Sequence, residues 1–158
     1  VRDDVHLCVI GDGPERYRLE RYTEKVRIAH RVHFLGHRSD AASLVAGADQ
    51  FWLGSGYEGQ SNALMEALSA AVPVVVSDIP GNRELVAEER TGLLFPVGDR
   101  AALARAARRL FEDPALAERL AESAARWIRS ERSVPRMVAA HAELYERLVR
   151  DVASRDAR

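Results

Sequence analysis

Cysteine and lysine are almost absent from this 158-residue chain: Cys8 is the only thiol and Lys25 the only lysine. One thiol cannot staple a fold, and within the apolar run 5–11 Cys8 is expected to be a buried structural residue rather than a nucleophile. Arginine carries nearly all the positive charge, a genomic bias before it is a functional signal. Neither sign of charge dominates. The formal net charge is -1, which gives no reason to expect nucleic acid or an anionic membrane as a partner. No stretch approaches the ~18 consecutive apolar residues of a membrane span. The start shows no basic segment leading into an apolar one, the mark of a secretion signal. Cytoplasm is the expected compartment, with a membrane-peripheral place open to the full-length protein.

What is present is ordinary for a globular protein: 47% hydrophobic and 30% charged residues, in a length that suits one compact core. No internal repeat or Gly/Ser-rich linker interrupts it. One domain over 1–153 and a frayed tail over 154–158 are expected. The chain opens on Val1 and enters a strand within a few residues, so it is expected to be a piece of something longer.

Apolar runs of strand length alternate with helical patterns. Strands are expected at 5–11, 32–36, 49–54, 73–77 and 92–96, and helices from Pro14 to about 30, then at 40–48, 61–71 and 82–89. Such alternation predicts a parallel sheet covered by helices. From residue 99 onward the pattern is helical only. It carries apolar faces on Leu103, Ala106, Ala107 and Leu110, on Leu116, Leu120 and Trp127, and on Met137, Val138, His141, Leu144, Tyr145 and Leu148.

The segment "GSGYEGQSNALMEA" (54–67) follows the third strand, where open parallel sheets bind ligands. Gly54, Gly56 and Gly59 leave the loop free of side chains, so a ligand can approach its backbone. Ser61 or Asn62 suits an N-cap, and the first-turn amides around Ala63 and Leu64 would then point outward at the positive end of the helix dipole. Such amides suit a phosphate. Glu66, one turn further, suits a ribose diol, and Glu58 stands in the loop on the other side. A carboxylate, a row of amides and a second carboxylate outline a nucleotide sugar. Spacing alone leaves open the plainer reading of a solvated helix with two surface glutamates.

The run "EGQSNALMEA…PVVVSDIPGNRELV…TGLLFPVGD" resembles the donor-binding domain of retaining GT-B glycosyltransferases, group 1 (family four). Glu58 and Glu66 stand at the family's E-x7-E spacing, Pro73-Val74-Val75 supplies the strand after the helix, and Gly81 and Glu84 match the following loop. "VIGDGPERYRLE" and "VHFLGHRSD" extend the resemblance from about residue 5 to the C-terminus. The resemblance implies an α/β, Rossmann-like parallel sheet of about five strands with C-terminal helices, the C-terminal half of a GT-B fold. It implies that Glu58, Gly59, Gln60 and Ser61 hold the hexose, that the helix N-terminus at Asn62, Ala63 and Leu64 holds the diphosphate, and that Glu66 holds the ribose. Glu58 is the residue it places at the catalytic centre. The base is placed near Leu35–Arg38, which makes His37 and Arg38 candidates. The donor is a UDP-, GDP- or ADP-linked sugar, the acceptor a glycan or lipid-linked hydroxyl, and neither metal nor cofactor is expected.

Three departures qualify the match. Ala71 replaces the family's usual Gly two residues before the Pro. Gln60-Ser61 replaces an aromatic-Gly pair, which opens the hexose identity. The strand and helix that carry two basic phosphate ligands, and the whole acceptor domain, are not in this sequence. The family's missing strand lies between the present first and third, so these two are expected to close up and give the order 2-1-3-4-5.

Other motifs read more plainly. "GDGPER" (11–16) has Arg16 where a dinucleotide fingerprint needs Gly, so Gly11 and Gly13 are expected in a turn and helix start, with a supporting site role as the sharper reading. Arg83 can pair locally or meet a phosphate; Glu84 follows it. His141, Trp52 and Trp127 are expected in the core. The function expected is donor binding for retaining hexosyl transfer, with the isolated chain inactive and its uncovered cleft open to self-association. Rival readings are a non-catalytic sugar-nucleotide module or remnant, a sugar-nucleotide epimerase, and a phosphorylase, whose cofactor lysine Lys25 is badly placed to supply.

Overall fold

The computed structural model describes residues 4–156, with side chains as far as Arg150. The chain divides into two compact units, Val1–Leu44 and Val45–Arg158.

In the first unit, β1 (Leu7–Ile10) and β2 (Val32–Gly36) form a parallel pair in the register Leu7↔Val32, Cys8↔His33, Val9↔Phe34 and Ile10↔Gly36. Helix α1 (Arg16–Lys25) and a 3-10 turn (Ala29–Arg31) connect them. Arg16 holds helix to strand: its Nη2 donates to the Phe34 carbonyl at 3.1 Å and its Nε to Glu20 at 2.9 Å. Pro14 lies two residues ahead of the helix, which starts at Arg16 behind the N-cap Glu15. Cys8 is exposed, not buried. Leu19, Tyr22 and Val26 are exposed as well. A two-stranded ribbon offers too little surface to bury both its own faces and a helix stripe. His6 and His33 stack at the ribbon's surface with ring centroids 5.2 Å apart.

The expected order 2-1-3-4-5 is not formed. The strands make two separate parallel sheets, β1-β2 and β3-β4-β5, and β1 does not pair with β3 (Phe51–Leu53).

Helix α2 (Ala41–Ala46) leads into the second unit, where β3, β4 (Val74–Ser77) and β5 (Leu93–Phe95) pair in parallel. Every residue of β4 is buried, as a run of β-branched residues in the middle of a parallel sheet requires. Helix α3 (Asn62–Ser69) buries Leu64, Ala67 and Leu68. Val75, Leu93 and Phe95 meet Leu110, Leu116 and Leu120 from α5 (Arg100–Glu112) and α6 (Pro114–Glu131) in one core, with Trp52 and Leu103 against its edge. Asp99 and Asp113 cap these two helices, accepting from the Ala102 and Leu116 amides at 2.9 Å. The helix expected at 82–89 is instead one turn, α4 (Pro80–Arg83). Beyond it the Thr91 hydroxyl accepts from the Ala87 amide at 2.9 Å and draws the chain into a turn.

Helix α7 (Val134–Asp156) leaves Val134, Met137, Val138, Leu144, Tyr145, Leu148 and Val149 exposed. His141, expected in the core, is exposed too, with Nδ1 2.8 Å from the Met137 carbonyl oxygen. Periodicity identified an apolar stripe, but among the described residues nothing covers it. The helix continues through most of the tail expected to fray; residues 157 and 158 lie outside the described residues. No helix among the described residues is long and apolar enough to cross a membrane.

Helix α3 ends in a Schellman arrangement: the Val72 amide donates to Ala67 at 3.0 Å and the Ala71 amide to Leu68 at 3.2 Å. This places Ala71 at φ 57°, the left-handed region that glycine adopts without a Cβ clash. Ala71→Gly is expected to raise unfolding stability by about 1 kcal/mol. A urea midpoint at or below that of the parent chain would contradict this.

Candidate functional site

The loop between β3 and α3 runs from Gly54 to Ser61. A Cβ at Gly56 or Gly59 would meet nothing within 4 Å, so the backbone there is open to a ligand. Ser61, buried, is the N-cap of α3: its Oγ accepts from the Leu64 amide at 3.3 Å, and its carbonyl accepts from Met65 at 3.1 Å. The Leu64 amide is therefore occupied and its side chain lies in the core, which corrects its expected place in the anion site. A helix start leaves its earliest amides without intrahelical acceptors. Those of Asn62 and Ala63, both exposed, donate to no acceptor among the described residues. Of the three expected donors, the Asn62 and Ala63 amides are the open ones.

Glu66 lies four residues after Asn62 on α3, so the two share a helix face one turn apart. It is exposed, and its carboxylate makes no ion pair among the described residues. Glu58 differs. It is half-buried in the loop, and its Oε1 accepts from the Ser55 hydroxyl at 2.7 Å. Gly59 and Gln60, between the two carboxylates, are exposed.

Helix α4 fixes the loop from behind. A Cβ on Gly81 would stand 2.2 Å from the Glu58 carbonyl oxygen and 2.9 Å from that of Gly59, so only glycine admits this approach. Three residues that sequence reasoning passed over complete the frame. The Ser77 hydroxyl at the end of β4 donates to the Ser55 carbonyl at 2.6 Å, and the Asn82 amide donates to the Ser77 carbonyl at 2.9 Å and hydroxyl at 3.2 Å. Ser77 and Asn82 are both 0% exposed. A polar residue closing a run of valines, and an Asn beside the glycine of the next loop, were the available signals.

The remaining candidates are bound up locally. Arg83 forms a two-point pair with Asp78, with Nη2–Oδ2 at 2.7 Å, and this hydrogen bonding holds the Asp78 carboxyl below its ordinary range. Glu84 is the exposed C-cap of α4; its carbonyl accepts from Arg132 at 3.4 Å. In the first unit, Arg38 grips Asp40 through two hydrogen bonds of 2.7 Å, and His37 beside it is exposed. Gly11 donates its amide to the Gly36 carbonyl and Gly13 to the Asp12 carboxylate, both at 2.8 Å, which is the turn-and-helix start of the plainer reading. The second unit thus brings together Glu58 to Ala63, Glu66, Arg83 and Glu84; Gly11, Gly13, His37 and Arg38 belong to the first.

A family model, glycosyl transferases group 1, matches residues 1–127. The chain belongs to this family. Among its group 1 relatives, a lipopolysaccharide core biosynthesis glycosyltransferase, LpsD of Rhizobium meliloti, is 32% identical over 92% of this chain and 42% of its own length. N-acetyl-alpha-D-glucosaminyl L-malate synthase of Bacillus anthracis is 30% identical over 94% and 39%. The fold matches Anabaena HepE, crystallised in complex with UDP, at TM-score 0.87 and 25% identity, over 92% of this chain and 42% of HepE. The HepE complex with UDP-glucose matches at TM-score 0.85 and 26% identity. The chain therefore spans about two fifths of these group 1 proteins, a half-domain of their GT-B architecture.

Gly81→Ala tests the frame. The added methyl has nowhere to go without moving backbone, so a loss of about 1–3 kcal/mol is expected, with faster amide exchange over 56–60. Parent-like stability and exchange would mean that α4 does not set the loop.

Proposed function

We propose that this chain is the donor-binding half of a retaining hexosyltransferase, which holds a nucleotide-diphosphate sugar while an acceptor hydroxyl is glycosylated. One observation carries the reading. Two unpaired amides at the dipole-positive end of α3, Asn62 and Ala63, share a short segment with a ribose-ready carboxylate, Glu66, and a second carboxylate, Glu58. The structural relatives solved with UDP and UDP-glucose support a donor of this class.

In this reading the diphosphate lies against the Asn62 and Ala63 amides, where fixed N–H dipoles favour an anion. The Glu66 carboxylate accepts hydrogen bonds from the ribose hydroxyls. Glu58, with Gly59 and Gln60, takes the hexose hydroxyls. As the anomeric C–O bond breaks, its electron pair moves onto the diphosphate oxygen, and the helix end stabilises that developing charge. No residue of the chain is assigned as general base; the contribution is positioning and charge stabilisation. The whole protein's acceptor is a glycan or lipid-linked hydroxyl, and these residues alone turn over no donor.

Calorimetry against UDP, GDP and ADP tests the reading and names the base. One of the three is expected to bind, and Glu66→Ala is expected to weaken it about tenfold through lost charge-assisted hydrogen bonds. Heat-silent titrations with all three, or an affinity indifferent to Glu66→Ala, would overturn it.

A further inference from the structure

The hydrogen bonds behind the loop have a fixed direction, and that direction ends on Glu58. A hydroxyl has one proton. The proton of Ser77 goes to the Ser55 carbonyl at 2.6 Å, so toward Asn82 the Ser77 oxygen can only accept. The Ser77 carbonyl also only accepts, so the Asn82 side chain must turn its NH2 toward both. The Asn82 Oδ1 is left buried without a hydrogen-bond partner among the described residues. A buried unpaired acceptor is costly, so this amide is not explained as a packing choice. Its two protons clamp the end of β4, whose hydroxyl in turn pins the Ser55 backbone. From that pinned backbone the Ser55 hydroxyl sends its proton to Glu58 Oε1 at 2.7 Å.

We propose that Asn82, Ser77 and Ser55 form a positioning relay that aims Glu58, occupying Oε1 and leaving Oε2 as the acceptor for a sugar hydroxyl. This rests on the role assigned to Glu58 above. The three residues touch no substrate. They act by holding one carboxylate oxygen in place, so that a half-buried charged side chain does not lose its rotamer freedom at the moment of binding. The Ser55 bond takes one of the carboxylate's lone-pair positions and fixes the plane in which the others meet the ligand.

The test compares Ser55→Ala, Ser55→Thr and Ser77→Ala with the parent chain, using UDP and UDP-glucose in calorimetry and amide exchange over 57–60 without ligand. In the parent, UDP-glucose is expected to bind more tightly than UDP. Ser55→Ala and Ser77→Ala are expected to remove about tenfold of that difference, with UDP affinity within twofold of the parent. Ser55→Thr, which keeps the hydroxyl, restores it. A difference that survives Ser55→Ala, or Ala and Thr variants that behave alike, overturns the relay. So does a parallel fall in UDP affinity, the mark of general loosening. If the parent chain binds neither ligand, exchange alone decides the relay: loop amides deprotected by Ser55→Ala and reprotected by Ser55→Thr uphold it, and unchanged exchange overturns it.

Discussion

The second unit depends on how a buried strand hands its order to an exposed loop. β4 is enclosed on both faces, and the hydroxyl that ends it, Ser77, bonds the Ser55 carbonyl at 2.6 Å. A hydrogen bond in a site without water competition is stronger than its exposed counterpart, and breaking one partner leaves the other unsatisfied. The loop over 54–61 carries three glycines and has little of its own to fix its path. Its rigidity is borrowed from β4 through Ser77 and from α4 through the contact at Gly81. With both in place, the backbone near Glu58 is set.

This frame leaves charges of opposite sense close in sequence. The amides of Asn62 and Ala63 present partial positive charge, while Glu58 and Glu66 on either side are anionic. A simple anion would be repelled by the flanking carboxylates as it was drawn to the amides. A molecule with an anionic centre and hydroxyl groups at both ends satisfies all three groups together. Arg83, the guanidinium of the adjoining α4, is neutralised by Asp78 and adds little attraction of its own.

Much of this was legible in the sequence because it depended on local chemistry. The valine run, the N-cap at Ser61 and the short run from Glu58 to Glu66 each follow from residue type and spacing. What escaped depended on long-range packing. Periodicity found an apolar stripe on α7 but could not say that Tyr145 would stay exposed. The closure of β1 onto β3 was inferred from the strand order the resemblance implies, and the strands instead make two sheets. The Leu64 amide was read as open because a sequence does not show which first-turn donor the capping hydroxyl takes. Asn82 and Ser77 were passed over because their importance is a matter of burial and direction, not of spacing.

The central claim is that the first two amides of α3 receive the diphosphate. It is tested most directly by titrating UDP into ¹⁵N-labelled protein and following the backbone amides. The account predicts that the largest downfield proton shifts fall at Asn62 and Ala63, with Leu64, already bonded to Ser61, moving less. UDP binding that leaves Asn62 and Ala63 unmoved, with its largest shifts outside the start of α3, would contradict it.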